Sequence, residues 1–405
     1  TGIATLTSPR GFIEKHTGYV ENVNITAGDS GTLSGEIVVG SGLTMTVGTA
    51  ATTSQGTVDA LKVYDMFQPP SGTTNQRPPA KPGSLFYNFD FKTIEFFDGN
   101  SWRQVDNTTT RGRAIFSSNL STPTFDFVNT HSLGNATIFG GLSDSRKSAF
   151  GCASSTRGLW GGGGTPARQD VIDYVTIASE GNAIDFGNLI EANTEPCSTS
   201  SSTRGIWCGG YKNPGGSSNR TNVIQYVEIS TLGNALDFGD ITTIQVSQAA
   251  ASSPTRAIFS GGYSSPHQYE MVTIASKGNA VRFGDMASIR ARHDGCSNGT
   301  RAVFGGGRSG GAFVIVGRLE YITIASEGNG SEFGTLSKIN RNMLASASNR
   351  IRGLFAGGYE NPANSNVIDY ITFSSLGDAL DFGDLTEARR GVSGISDSHG
   401  GLGGF

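Results

Sequence analysis

Residues 174–189 read YVTIASEGNAIDFGNL, and the phrase returns as YVEISTLGNALDFGDI (226–241), MVTIASKGNAVRFGDM (271–286), YITIASEGNGSEFGTL (321–336) and YITFSSLGDALDFGDL (370–385). A weaker copy, FVNTHSLGNATIFGGL, occupies 127–142. The Phe-Gly pairs begin at Phe139, Phe186, Phe238, Phe283, Phe333 and Phe382; subtracting neighbours gives spacings of 47, 52, 45, 50 and 49 residues. Self-similarity at such a period is the mark of a repeat architecture and governs every other reading of the chain.

A second landmark runs in phase. Arg111, Arg157, Arg204, Arg256, Arg301 and Arg352 each precede an apolar, mostly Gly-rich segment such as RGIWCGG or RAVFGGG. The string HGGLGGF from His399 reads as a last, solitary copy of that segment. Counted from Arg204, one period holds four strand-sized pieces: RGIWCGGY, NVIQYVEIST, NALDFGDI and the small-residue piece IQVSQAAAS. The second alternates Val223, Gln225 and Val227 against Ile224, Tyr226 and Glu228, and no helical apolar stripe of useful length appears. Leu-Gly-Asn or Glu-Gly-Asn joins the pieces, supplying residues that tolerate positive φ.

Four short antiparallel strands per period of about 40–50 residues predict a β-propeller blade, and six copies predict six blades over residues 108–405. Two closures fit: HGGLGGF completes the sixth blade and leaves the Arg111 segment as a lead-in, or the C-terminal strand joins the first blade. The framework from Tyr-Val-Thr-Ile to Phe-Gly is constant, whereas the link after Gly-Gly varies (GGGGTPARQD, GGYKNPGGSSNRTN, GGYSSPHQ, GGGRSGGAFVIVG, GGYENPANSN). Variable loops on a constant frame present binding surface. The Gly-Gly pairs are expected where the blades converge and side chains have no room.

Composition narrows the class. The 405 residues carry 30 basic and 34 acidic side chains, a net charge of −4, and only 16% charged residues, below the roughly 25% usual in globular domains. Near-neutrality argues against a global nucleic-acid or anionic-membrane footprint. No apolar run reaches the roughly 20 residues that span a bilayer, so no membrane insertion is expected, and TGIATLTSPRG does not read as a signal peptide.

Ahead of the repeats, residues 1–76 are polar, β-branched and Gly-punctuated, a β-rich segment too thin to build a core alone and expected to dock or oligomerise. They end in the Pro-rich, stiff QPPSGTTNQRPPAKPG (68–83). Residues 77–107 are read as a small β-meander. Asp-Gly-Asn marks its tight turn, and Phe86, Tyr87, Phe89, Phe91, Phe96, Phe97 and Trp102 are its candidate mini-core.

Sites were sought in the same frame. Cys152 and Cys296 share a register slot with Ala251 and Ala347, and Cys197 lies two residues away, which points to small buried positions. His16, His131, His267, His293 and His399 occupy unrelated positions, and no CxxC pair exists, so no metal or cofactor is expected. No GxSxG, HExxH or P-loop string occurs, and no catalytic residue is assigned. The repeated Arg157, Arg204, Arg256, Arg301 and Arg352 either ring an anion or brace the scaffold. The scaffold role is favoured, by capping carbonyls or pairing with Asp185, Asp237, Asp240, Asp285, Asp381 and Asp384. Loop tips are the binding candidates: Tyr211, Lys212, Asn213, Tyr263, His267, Arg308, Tyr359, Glu360 and Asn361. Tyrosine offers a flat face at low entropy cost, although GGY-x-N-P also serves as plain turn chemistry.

The Gly-Gly strands followed by Y-[VI]-T-[IF] and GNAxDFGDL resemble the kelch-like propeller repeats of virion structural proteins of tailed bacteriophages, particularly those infecting marine cyanobacteria. PPAKPGSLFYN…IEFFDGNSW is similar to short meanders of phage fibre and appendage proteins. The resemblance spans roughly residues 77–405 and lacks the regular Tyr-then-Trp spacing of a strict kelch motif. It implies virion localisation and a tail-fibre, appendage or capsid-associated homo-oligomer. The N-terminal segment would meet other virion proteins, and the propeller would meet a host-surface glycan or protein. A carbohydrate-active enzyme is the alternative, requiring clustered acids near a central channel.

Overall fold

A computed structural model describes residues 4–5, 23–24, 69–89, 93–99, 101–105, 112–117, 123–164, 167–212, 219–263, 267–309 and 314–403. The chain is all-β; among these residues the helical elements are the 3-10 turns Thr74–Gln76 and Gly400–Leu402. It divides into two compact units, Thr1–Asp106 and Asn107–Phe405.

In the first unit, Ala4–Thr5 pairs in parallel with Val23–Asn24. Of the segment 1–76 read as an anchor, residues 1–3, 6–22 and 25–68 lie outside the described residues. Ser71–Gly72 runs parallel to Leu85–Asn88, which continues antiparallel into Thr93–Phe97 and Trp102–Val105. Part of the Pro-rich stretch therefore packs on the meander: Arg77 bridges Glu95, whose side chain is 1% exposed, at 2.6 Å. The aromatic mini-core is narrower than predicted. Phe86 is buried, and Trp102 meets it at a tilt (5.9 Å between centroids) and Phe97 edge-on (5.6 Å). The period-two alternation sends Leu85, Ile94 and Phe96 to the other, exposed face, and Phe89 is exposed as well. Phe91 lies outside the described residues.

The second unit holds six antiparallel sheets with four strands in common. Their first strands are Phe150–Ala153, Cys197–Ser200, Ala249–Ser252, Asp294–Ser297, Ala345–Ser348 and Gly394–Ser396. Each pairs with a second strand that starts at an arginine: Arg157, Arg204, Arg256, Arg301, Arg352 and Arg113 respectively. Third strands such as Thr221–Glu228 and fourth strands such as Leu236–Gln245 complete each sheet.

The small-residue piece is the first strand of the following sheet, so a period cut at the arginine straddles two sheets. Gly394–Ser396, not HGGLGGF, completes the sheet of Arg113–Phe116, while Gly400–Leu402 forms a 3-10 turn. Arg111 lies outside the described residues, and Arg113 fills the repeat position.

The first strands touch in succession, and the sequence of contacts returns from Gly394–Ser396 to Phe150–Ala153. Where they converge, small residues are what fits; the Gly-Gly pairs serve another purpose. Gly209 and Gly210, for example, both have positive φ (67° and 102°), and Gly210 N donates to Gln245 O at 3.0 Å. These pairs thus make the bend from second to third strand against the next connecting segment.

Neighbouring sheets are fastened at three places along the strand order. Nearest the centre, serine hydroxyls donate to the carbonyl of the preceding first strand: Ser200 to Ala153 (2.8 Å), Ser252 to Ser200 (2.8 Å), Ser297 to Ser252 (2.6 Å), Ser348 to Ser297 (2.8 Å) and Ser396 to Ser348. The sixth position is Ala153, which has no hydroxyl to return the favour to Ser396.

Between first and second strands, size is complementary. Ile395 faces Gly158, and a Cβ on Gly205 or Gly353 would lie 2.5 Å from Cys152 Sγ or Cys296 Sγ. All four cysteines are buried free thiols. At the rim, a Cβ on Gly140, Gly187, Gly239, Gly284, Gly334 or Gly383 would collide with the carbonyl of the next sheet's turn glycine. That contact is why Phe-Gly recurs in every copy.

The repeated arginines brace the same seams. Arg157 Nη1 donates to Ile229 O and Ser230 O, both at 3.0 Å, and its guanidinium lies 5.1 Å above the Tyr174 ring. Arg113, Arg204, Arg256 and Arg352 make the same double donation into the next sheet, and Arg301 reaches Phe373 O at 2.5 Å. The carbonyl-capping alternative is what the structure records. Among the described residues none of these arginines pairs with Asp185, Asp237, Asp240, Asp285, Asp381 or Asp384; Arg204 pairs with Glu228 at 2.8 Å.

A second arginine series carried no sequence motif. Arg146–Asp173 (3.0 Å), Arg290–Glu320 (3.3 Å), Arg341–Asp369 (2.9 Å) and Arg389–Asp126 (2.7 Å) are fully buried ion pairs between a connecting segment and a third strand. In the remaining two sheets the cation's position is taken by Asn193 and Gln245, and the carboxylate's by Gln225 and Glu270. Cation and anion thus vanish together in the sheet of Gln225. Burial pulls Arg290 and Arg341 below the usual guanidinium range, with the facing carboxylates pulling back.

Candidate functional site

The connecting segments turn into the first strands through six equivalent residues: Ser148, Glu195, Ser247, Arg292, Met343 and Gly391. All have φ between 54° and 68°. Their backbones form a closed cycle in which each N–H donates to the carbonyl of the preceding member, from 2.9 Å (Arg292 to Ser247) to 3.4 Å (Glu195 to Ser148), and Ser148 completes it by donating to Gly391 O at 3.0 Å. This cycle surrounds one end of the central space. Because strands alternate in direction, the variable second-to-third-strand loops lie at this same end.

The two ends differ. The interior is narrow, about 50 Å³, and lined by small residues such as Gly151, Ala153, Ser200, Ser252 and Ser297. At the end where the first strands finish, the segment after Ser396 folds across it. His399 Nε2 lies 2.8 Å from Ala153 O and 3.2 Å from Ser200 Oγ, while its Nδ1 accepts from Gly401 N at 3.1 Å. That pattern places the ring proton on Nε2. Leu402 is buried, and a Cβ on Gly400 or Gly401 would strike the surrounding backbone.

Burial pushes His399 down to about 4, its bond to Ala153 pulling back. An unfolded histidine takes its proton near pH 6.5, whereas this one refuses it until about pH 4, so the stability it contributes is lost as pH falls through that window. His399→Gln keeps an N–H for Ala153 and removes the penalty. Relative to wild type it gains up to about 3 kcal/mol between pH 7 and pH 4, reduced by the residue's partial exposure. Urea midpoints at the two pH values measure it, and a pH-independent gap between the two proteins would contradict the assignment.

The opposite end opens into a funnel of about 490 Å³ whose charged and aromatic lining is Lys147, Glu195, Arg292, Arg308, Tyr359 and Arg390. Four cations thus face one carboxylate in a chain whose net charge is −4. Glu195 accepts from Ser247 Oγ and stands 3.7 Å from Arg292. Arg390 lies 4.5 Å above the Tyr359 ring, and Arg292 lies 5.5 Å above Tyr263. Burial pushes the Tyr263 hydroxyl up, and Arg292 pulls it back. The buried Nε atoms of Arg292 and Arg308 have no hydrogen-bond partner.

Of the loop-tip candidates, the structure brings Arg308 and Tyr359 into the funnel and joins Tyr263 to it through Arg292. Tyr211 is not among the lining residues; it packs under Arg168 (5.6 Å) and Arg220 (5.9 Å), and Lys212 pairs with Glu191 at 3.5 Å. Glu360 ends the short strand Tyr359–Glu360 and pairs with Ala363, and Asn361 begins the turn between them; the Tyr359 hydroxyl donates to Asn361 Oδ1 at 3.0 Å. His267 accepts Met286 N through its carbonyl, and Asn213 lies outside the described residues.

Sequence reading missed Lys147, Glu195, Arg292 and Arg390. The signal was present as phase. The slot five residues before the last residue of each first strand reads Ser, Glu, Ser, Arg, Met and Gly, a variation that the constant frame around it does not share.

Among the described residues no group of three or more His, Cys, Asp and Glu side chains is placed to hold a metal ion. No helix among them is long and apolar enough to cross a membrane. No protein-family model matches the chain, and no curated protein is significantly similar to it. The class of protein must therefore be argued from repeat and site alone.

Proposed function

We propose that residues 107–405 form a six-bladed, kelch-like β-propeller, and that the chain is a virion structural protein of a tailed bacteriophage which presents the funnel face for binding. Supporting the ring are the closed backbone cycle through Ser148 and Gly391 and the pairing of Gly394–Ser396 with Arg113–Phe116. Supporting a binding role is one observation above the rest: the variable loops, on an otherwise constant frame, supply Arg308, Tyr359 and Asn364 to a single concave site. Virion membership rests on the motif resemblance, with residues 1–76 as the docking segment and a homo-oligomer as the assembled form. Binding is favoured over glycoside hydrolysis because, among the described residues, Glu195 is the one carboxylate lining the funnel, and that reaction ordinarily needs two.

Antibodies raised against residues 107–405 are expected to label intact phage particles and to mark the position of the ring on them. Particles that carry no label and lack the chain by mass spectrometry would sink the virion assignment.

A further inference from the structure

We infer that the funnel is a binding site for carboxylate-bearing glycans, with Arg292, Arg308 and Arg390 receiving the carboxylates and Tyr359 packing against the sugar. The inference rests on reading this face as a binding surface.

The first reason is unbalanced charge. Among the described residues Arg308, Arg390 and Lys147 form no ion pair, and the carboxylate in the lining is shared between Arg292 and Ser247. Guanidinium groups with open donors suit the planar, two-oxygen geometry of a carboxylate.

A second reason is strain retained without structural need. The hexad backbone requires the left-handed region, which glycine enters freely, as Gly391 does. The other five positions keep side chains there at a cost of about 1 kcal/mol each. Four of those five, Ser148, Glu195, Arg292 and Met343, line the funnel. A purely architectural position would be filled by glycine, so the side chains point to use.

Shape supplies the third reason. About 490 Å³ falls in the range of small-ligand clefts, and the narrow interior beneath forms a floor. A concave site on a rigid rim accepts compact sugar rings. A polynucleotide would instead call for a cationic track running across the surface.

Calorimetric titration of the full chain with hexagalacturonate, hexamannuronate and 3′-sialyllactose tests this. At least one is expected to bind saturably, to lose binding when its carboxylates are methyl-esterified, and to weaken tenfold or more in Arg308→Gln and in Arg390→Gln. Arg168→Gln, beside Tyr211, should bind as wild type, and circular dichroism will establish that each variant is folded. Failure of all three glycans, survival of binding after esterification, or equal binding of a thymidine oligonucleotide overturns the inference. If antibody labels particles but none of the three glycans binds, this inference alone falls. If uronates bind and particles stay unlabelled, virion placement alone falls.

Discussion

Removing residues 391–403 is expected to abolish cooperative folding of the Asn107–Phe405 unit. Gly394–Ser396 is the first strand of the sheet begun by Arg113–Phe116, and without it that edge lies bare. Ile395 is buried with Ile115, Phe125 and Trp160, and Val392 with Ala345, Leu354 and Phe382. Each such side chain contributes about 2 kcal/mol by burial alone. Further losses are the bond from Gly151 N to Ser393 Oγ (2.7 Å), that from Ser393 N to Ser117 Oγ (2.8 Å), and the return of the backbone cycle through Gly391. Against a typical total stability of about 5–15 kcal/mol, this deficit is decisive. Urea unfolding should become broad, with a lowered m-value and binding of a hydrophobic dye. Deleting only residues 397–403 spares the strand and should leave a cooperative, weaker transition. An unchanged midpoint after the longer deletion would refute the closure.

Arg341→Met should cost about 3–5 kcal/mol, because it strands the Asp369 carboxylate in the interior. Arg341 also donates to Val367 O at 2.9 Å and Phe355 O at 3.0 Å, so two carbonyls lose partners as well. The molecule contains its own remedy in the Asn193 and Gln225 positions. The double variant Arg341→Asn, Asp369→Gln should recover most of the loss, since it removes both charges together. The single variant's deficit should shrink on acidification through the carboxylate range, as an unpaired buried carboxylate has its pKa raised and its cost is felt only while it is ionised. Thermal or urea melts of the two variants at neutral and acidic pH decide the matter, and equal stabilities would mean the pair is not coupled.

What the sequence disclosed and what it hid follow from how each contact is encoded. Phe-Gly was legible because a backbone-to-backbone approach admits no side chain at Gly140 or Gly239, so the residue cannot drift between copies. Arg157 and its equivalents were legible because one guanidinium reaches into the next sheet in all six copies, spanning the same two carbonyls in five of them. Arg111 misled because RGRAIF offers two arginines in nearly the same frame, and pairing with Asn129, not composition, selects Arg113. The buried Arg341–Asp369 type of pair stayed hidden because its cation lies in the least regular segment and its partner is distant in sequence. The funnel was half visible: Arg308 and Tyr359 sit in conspicuous loops, whereas Arg292 and Arg390 gain meaning only once six left-handed residues are seen to converge.

All six seams of the proposed ring are clasped by a guanidinium and, at the perimeter, by a turn nested on a glycine, and five of them also by a hydroxyl near the hub. Clasps at three distances from one axis resist a wrenching torque together, so neighbouring sheets must shear past one another and cannot be peeled apart. The seam at Ala153, short of one hub clasp, is where such a torque would first find give.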